Sequence, residues 1–91
     1  MYAISYHYLV VENDIPKLSE RWKKEVKEAI ETKLVSRPEI YGKPLRRSLK
    51  NYRKLRVGDY RVIFRIKNYE VKILIIGHRS AVYKIAKKRS Y

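Results

Sequence analysis

Tyr2, Ile4, Tyr6 and Tyr8 fall on every second residue at the start of the chain, the period of a strand with one buried face. Val10 and Val11 lead out of it towards Asn13-Asp14-Ile15-Pro16. Asp14 suits a helix N-cap or a first-turn acid, and a proline is tolerated early in a helix, so a short helix is predicted near residues 15–18. From Ser19 the period changes. Trp22, Val26, Ala29, Ile30, Leu34 and Val35 recur at helical spacing, with Glu20, Lys23, Lys24, Lys27, Glu28 and Glu31 on the outer side. This is the main helix, supported by i,i+4 charge pairs such as Glu20 with Lys24. It should stop by Arg37, because a residue before proline, here Pro38, disfavours helical backbone. An irregular link through Gly42 and Pro44 follows.

Strand-like runs return at residues 53–57 and 60–67, separated only by Gly58-Asp59. That pair fits a two-residue hairpin of type II′, with glycine taking the positive φ. A second hairpin turns near Asn68-Tyr69 into residues 71–76, and residues 80–89 form a short terminal helix with a basic outer face. The predicted class is α+β: an N-terminal strand, a helical hairpin, a three-stranded antiparallel meander joining a four-stranded sheet, and a short C-terminal helix. Residues 1–91 make a single domain, since a chain this short closes only one core.

Tight hairpins reduce strand register to counting. Leu55 faces Val62, Arg56 faces Arg61, Phe64 faces Ile73 and Ile66 faces Val71; continued, the count puts Ile75 on the same face as Leu55 and Val62, and Ile76 beside Arg61 on the other. The first face is then the core. The second carries Lys54, Arg56 and Arg61 together, close to Gly77-His78-Arg79, with Arg65 and Lys72 further along. Like charges opposed across strands are unfavourable, so Arg56 against Arg61 points to an anion between them, the alternative being plain solvent exposure as for Arg65 and Lys72 on the same face.

Charge sharpens this picture. Apolar residues reach 45% and charged ones 35%, with a net charge of +14. Residues 1–42 carry seven Lys/Arg and seven Asp/Glu, whereas residues 43–91 carry sixteen bases against Asp59 and Glu70 alone, so the entire excess lies in the second half. Such segregation repels itself unless a polyanion partners it. The bases fall mostly in strand-like segments, which favours nucleic acid over a membrane surface. There is no cysteine, which excludes disulfides and thiolate chemistry and fits a reducing compartment such as the cytoplasm. No apolar run approaches the roughly 20 residues of a membrane span, and no signal-peptide pattern opens the chain. No membrane association is expected.

The run Leu55-Arg56-Val57-Gly58-Asp59-Tyr60-Arg61-Val62-Ile63-Phe64, then Ile76-Gly77-His78-Arg79 and Val82-Tyr83, resembles the RelE/ParE toxin superfamily of type II toxin–antitoxin systems. The Gly42-Lys43-Pro44-Leu45 link resembles it too. Similarity to the RelE branch implies a metal-independent endoribonuclease without cofactors that cuts mRNA in the ribosomal A site and is neutralised by a cognate antitoxin. By position, Arg61 and Arg79 match that branch's phosphate and leaving-group residues, Lys54 its charge-stabilising lysine, and Tyr83 its C-terminal tyrosine. Arg53 or Arg56 stands in for a second lysine. Arg53, Arg56, Arg65, His78, Lys84 and Lys87 form the wider phosphate-binding set. RNA supplies its own nucleophile, the 2′-hydroxyl, so positioning, proton removal and charge stabilisation suffice. A phenol, with a reference pKa of about 10, needs neighbouring cations to serve as a base at neutral pH. Tyr83 is thus the candidate base, or else a helix tyrosine packed on the sheet edge; His78 titrates or orients its turn; His7 is structural. Exposed tyrosines also suit base stacking. Two other functions compete: a ParE-like inhibitor of DNA gyrase, and a non-catalytic RNA- or ribosome-binding module. The charge asymmetry independently predicts an acidic, partly disordered protein partner over the basic face.

Overall fold

In the computed structural model, which describes residues 1–89, the N-terminal run forms a strand shorter than its alternation predicts, β1, Ala3–Tyr6, and Tyr6 and Tyr8 are exposed instead of sharing a buried face with Ile4. His7 ends it: its buried ring accepts the Leu9 N–H at Nδ1 (3.1 Å) and turns the chain into a helical run. A π-helical turn, Val10–Asp14, and a 3₁₀ turn, Ile15–Lys17, carry Val10 and Leu18 inward. Asp14 does not cap a helix. It lies within helical backbone with no side-chain cap, is buried, and gives both carboxylate oxygens to partners distant in sequence.

The main helix begins where its period does. Ser19 is the N-cap, its Oγ accepting the Trp22 N–H at 3.4 Å, and α1 spans Glu20–Ala29. A π-helical turn, Ile30–Leu34, prolongs it and keeps Ile30 and Leu34 buried in line with Val26. Pro38 then starts a new turn, α2 (Pro38–Tyr41), as a proline at the first helical position can. The expected irregular link is therefore partly regular: α2 is followed by β2, Lys43–Pro44, an added edge strand on β3.

Strands β3 (Arg53–Val57), β4 (Tyr60–Lys67) and β5 (Glu70–His78) form the meander. The sheet has five strands in the order β1-β5-β4-β3-β2, with β1 parallel to β5. Gly58 has φ +58°, as the first hairpin requires, and Asn68 and Tyr69 both take positive φ at the second. Register between β3 and β4 is the counted one, Leu55 against Val62 and Arg56 against Arg61.

Between β4 and β5 the count holds for Ile66 with Val71 and Phe64 with Ile73, then fails. Ile63 pairs with Ile75 and Val62 with Ile76, leaving Leu74 as an extra residue in a β-bulge. Beyond the bulge every β5 side chain changes face. Ile76, expected beside Arg61, joins the α1-side core with Leu55, Val62 and Phe64. Ile75, expected there, instead packs with Ile63 and Leu74 on the second face. Gly77, not Ile76, faces Arg61.

The second face is thus half apolar. Leu49, Val82 and Ala86 cover it, the last two from α3, Val82–Lys88. Helix α3 starts tight against the sheet, since a Cβ on Gly77 would lie 3.2 Å from Val82 Cγ2. The opposite core, under α1, ends at the first hairpin, where a Cβ on Gly58 would lie 2.4 Å from the Trp22 ring. A left-handed φ costs alanine about 1–2 kcal/mol, and the overlap with Trp22 adds about 1–3 kcal/mol. Gly58→Ala should lower the calorimetric midpoint of unfolding by upwards of about 5 °C; an unchanged midpoint would contradict this packing.

Candidate functional site

The second face gathers its cations where the apolar cluster ends. Lys54 and Arg56, two residues apart on β3, both point there, and Arg56 is paired directly with Arg61 of β4. β2 adds Lys43 opposite Lys54. With Tyr41 from the end of α2, these four cations line a cleft of about 150 Å³, and no carboxylate lines it. Cross-strand like charges destabilise, and partial burial strengthens the repulsion because low dielectric screens it poorly. An anion in the cleft relieves it.

Arg61 is the rigid member. It is 8% exposed, and its Nη1 donates to the carbonyls of Gly58 and Tyr60, both at 2.9 Å. The hairpin turn thereby fixes the guanidinium before any ligand arrives. Arg79 is tied to the same turn, its N–H donating to the Asp59 carbonyl at 2.8 Å. Its side chain lies outside the lining of the cleft and meets Asp59 at 3.6 Å, with both side chains about two-thirds exposed. An ion pair that exposed holds little energy and yields readily to a better anion.

Tyr83 comes from α3. Its ring packs against the second-face cluster and also receives the Lys54 ammonium, Nζ lying 5.6 Å from the ring centroid. The residue is packed, as the structural alternative expects, and its ring also faces a cation.

Other expected members are placed elsewhere. Arg53 points to the α2 side, where its Nη1 donates to the carbonyls of Gly42 (3.0 Å) and Glu39 (3.2 Å), so it closes the end of α2 and does not join the cleft. Arg65 shares the face but lies four residues along β4 from Arg61, about 13 Å at strand rise, opposite Lys72. Lys84 and Lys87 are exposed on α3; Lys87, one turn past Tyr83, lies on the same side of that helix. His78 orients its turn: Nδ1 accepts the Ser80 N–H at 3.2 Å and lies 2.8 Å from Ser80 Oγ, while the ring meets Tyr60 edge-on. Tyr41 and Lys43 were missed as cleft residues. Pro44 was the available signal, because a proline, lacking an N–H, belongs on an edge strand.

Residues 4–83 match the family described as ParE toxin of type II toxin-antitoxin system, parDE. The chain belongs to the RelE/ParE toxin family. A relative, Toxin RelE of Mycobacterium tuberculosis (strain ATCC 25618 / H37Rv), is 35% identical over 74 residues, which cover 79% of this chain and 76% of the relative. The toxin–antitoxin complex RelBE2 from Mycobacterium tuberculosis contains a chain of the same fold, with a TM-score of 0.79 at 33% identity, covering 87% of this chain and 92% of that one. The isolated RelE toxin of E. coli shares the fold alone, with a TM-score of 0.63 at 21% identity over 97% of both chains. The toxin fold thus accounts for the order of strands and helices, while the cleft's lining comes from this chain's own residues.

Placement separates two neighbouring arginines of this toxin. Arg56→Ala should weaken binding to a single-stranded oligonucleotide used as a polyanion probe and lower the slope of log affinity against log salt by about 0.7, one phosphate contact. Arg53→Ala should leave that slope unchanged and lower thermal stability. Equal slopes for both variants, measured by fluorescence anisotropy, would refute the assignment of Arg56 to the cleft.

Proposed function

We propose that this toxin is an endoribonuclease that cuts mRNA in the ribosomal A site by attack of a 2′-hydroxyl on the adjacent phosphate. The observation that carries the reading is the Lys54–Tyr83 contact at 5.6 Å beside a cleft lined by four cations. A lining of cations and a phenol suits a phosphodiester, and the reading assigns the chemistry to these side chains.

The roles are those that the resemblance implies, and the placement of these side chains supports them. Arg61, held by its turn, and Arg56 opposite it bind the non-bridging phosphate oxygens. Tyr83 acts as general base on the 2′-hydroxyl while the 2′-oxygen bonds to phosphorus, with the Lys54 ammonium lying against its ring. The bond from phosphorus to the 5′-oxygen breaks, leaving a 2′,3′-cyclic phosphate on one product. Arg79, released from its exposed pair with Asp59, stabilises the charge on the departing 5′-oxygen, which takes its proton from solvent. Lys84, Lys87 and the Lys43 edge extend the positive surface along the strand of RNA. Such a substrate places the protein in the cytoplasm.

The solved relatives from Mycobacterium tuberculosis and Methanococcus jannaschii are toxin–antitoxin complexes. An antitoxin whose acidic segment covers the basic second half is the partner that this chain's charge distribution fits.

The test is inducible expression in bacteria, with primer extension along an abundant translated message. Discrete cuts within the reading frame are expected, lost with Arg79→Ala. Tyr83→Phe should slow cleavage about 100-fold or more, the usual contribution of a general base, while keeping RNA affinity. Arg61→Ala should weaken both. Intact message with damaged chromosomes would replace this reading with gyrase inhibition, and neither effect would leave a non-catalytic binding module.

A further inference from the structure

Asp14 and Arg89 form the one buried ion pair among the described residues, their side chains 5% and 7% exposed. Neither lines the cationic cleft. The pair is bidentate: Arg89 Nη1 donates to Asp14 Oδ2 at 2.7 Å and Nη2 to Oδ1 at 3.2 Å. Each partner also holds the backbone of β5. Asp14 Oδ2 accepts the Ile76 N–H at 3.0 Å, and Arg89 Nη1 donates to the Leu74 carbonyl at 3.1 Å. The last backbone bond from the β1 side reaches the Ile73 carbonyl, from His7 N–H at 2.8 Å. Where backbone pairing stops, the two side chains take over the bulged edge of β5 and join the helical turn before α1 to the end of α3.

Helix α3 needs that anchor. Its seven residues, Val82–Lys88, are too few for a stable helix in isolation. No side chain caps its start, and only Val82 and Ala86 are buried. Val82 and Ala86, with the partly buried Tyr83 ring packed beside them, attach the helix along one side and do not by themselves fix its rotation about its own axis. Arg89, six residues past Tyr83, is about 9 Å away along the axis and on another side of it. It supplies the second point of attachment that fixes rotation, and Tyr83 rides on the helix so held.

We infer that Asp14 and Arg89 are positioning residues for Tyr83: through α3 they set the phenol against Lys54 without touching RNA. The inference rests on the role of Tyr83 proposed above. A buried pair that served stability alone would weaken the whole protein and would be indifferent to what residue 83 is, so the two roles are separable.

The experiment is a double-mutant cycle on ribosomes programmed with a short message, using Asp14→Asn, Tyr83→Phe and both together. Asparagine keeps an acceptor for the Ile76 N–H and removes the charge that holds Arg89. Asp14→Asn alone should reduce turnover at saturating ribosomes by about 10- to 100-fold, the scale of a small misplacement of a catalytic group, with KM little changed. In the Tyr83→Phe background it should cost nothing further. An equal loss in both backgrounds, or no loss in the first, would overturn the inference. Amide hydrogen exchange gives a reading independent of cleavage: α3 amides should lose protection in Asp14→Asn while β4 amides keep theirs. Protected α3 amides in that variant would overturn the inference whether or not the protein cuts RNA. If Asp14→Asn fails to fold, Arg89→Lys, which keeps charge but cannot bridge both carboxylate oxygens, is put through the same cycle and the same exchange measurement. Tyr83→Phe cleaving at the wild-type rate would instead remove the tyrosine from catalysis, with the α3 protection loss still reporting the anchor itself.

Discussion

One extra residue, Leu74, decides how the two faces of the sheet are used. Were the same residues paired in regular register without the bulge, β5 would present Ile75 to the α1-side core and Ile76 to the cationic face, and a large aliphatic side chain would stand beside Arg61. With it, Ile76 fills the core and Gly77 lies opposite Arg61, the open space against which Val82 of α3 packs. Leu74 and Ile75, together with Ile63, then give the second face an apolar floor on which α3 can rest. A sheet covered on one face has been made into one covered on both, by a change of a single residue in register.

The same face has to be oily at one end and strongly cationic at the other. Four like charges around a small cleft are a standing cost, and the fold contains it by fixing the most buried of them on turn carbonyls. Acids are kept at the margins. Asp59 sits in the hairpin turn, and Glu70 lies at the far end of the sheet between Ala3 and Lys67. Asp14, the acid that is buried, is fully occupied by Arg89, Ile76 and Asn13. Among the described residues no carboxylate lines the cleft, so its charge is available to a ligand.

Periodicity made most of this legible. The change from alternation to helical spacing at Ser19, the turn pairs Gly58-Asp59 and Asn68-Tyr69, and the opposition of Arg56 to Arg61 all read directly from spacing, because local geometry alone determines them. What could not be read is non-local. A bulge has no composition of its own: residues 71–76 are apolar almost throughout, so a slip of one leaves the pattern unchanged. Arg53 looked like another member of the basic cluster, but strand parity puts it with Leu55 and Val57, and α2, invisible behind Pro38, supplies its carbonyl partners. Asp14 has the form of a capping residue, and only the folded chain brings Arg89 across 75 positions to claim it.

The parallel pairing of β1 with β5 sets the order of events in making the molecule. Ala3 cannot find Glu70, nor Ile4 Val71, until nearly the whole meander exists, and contacts so distant in sequence form slowly because a long loop must close before they are rewarded. Tyr83 comes later still along the chain, on a helix that rests on β5. A nascent chain emerging from a ribosome therefore carries its cationic strands well before it carries a finished site. The complete fold, with β1 paired to β5 and α3 seated on it, exists only after the last elements have been made.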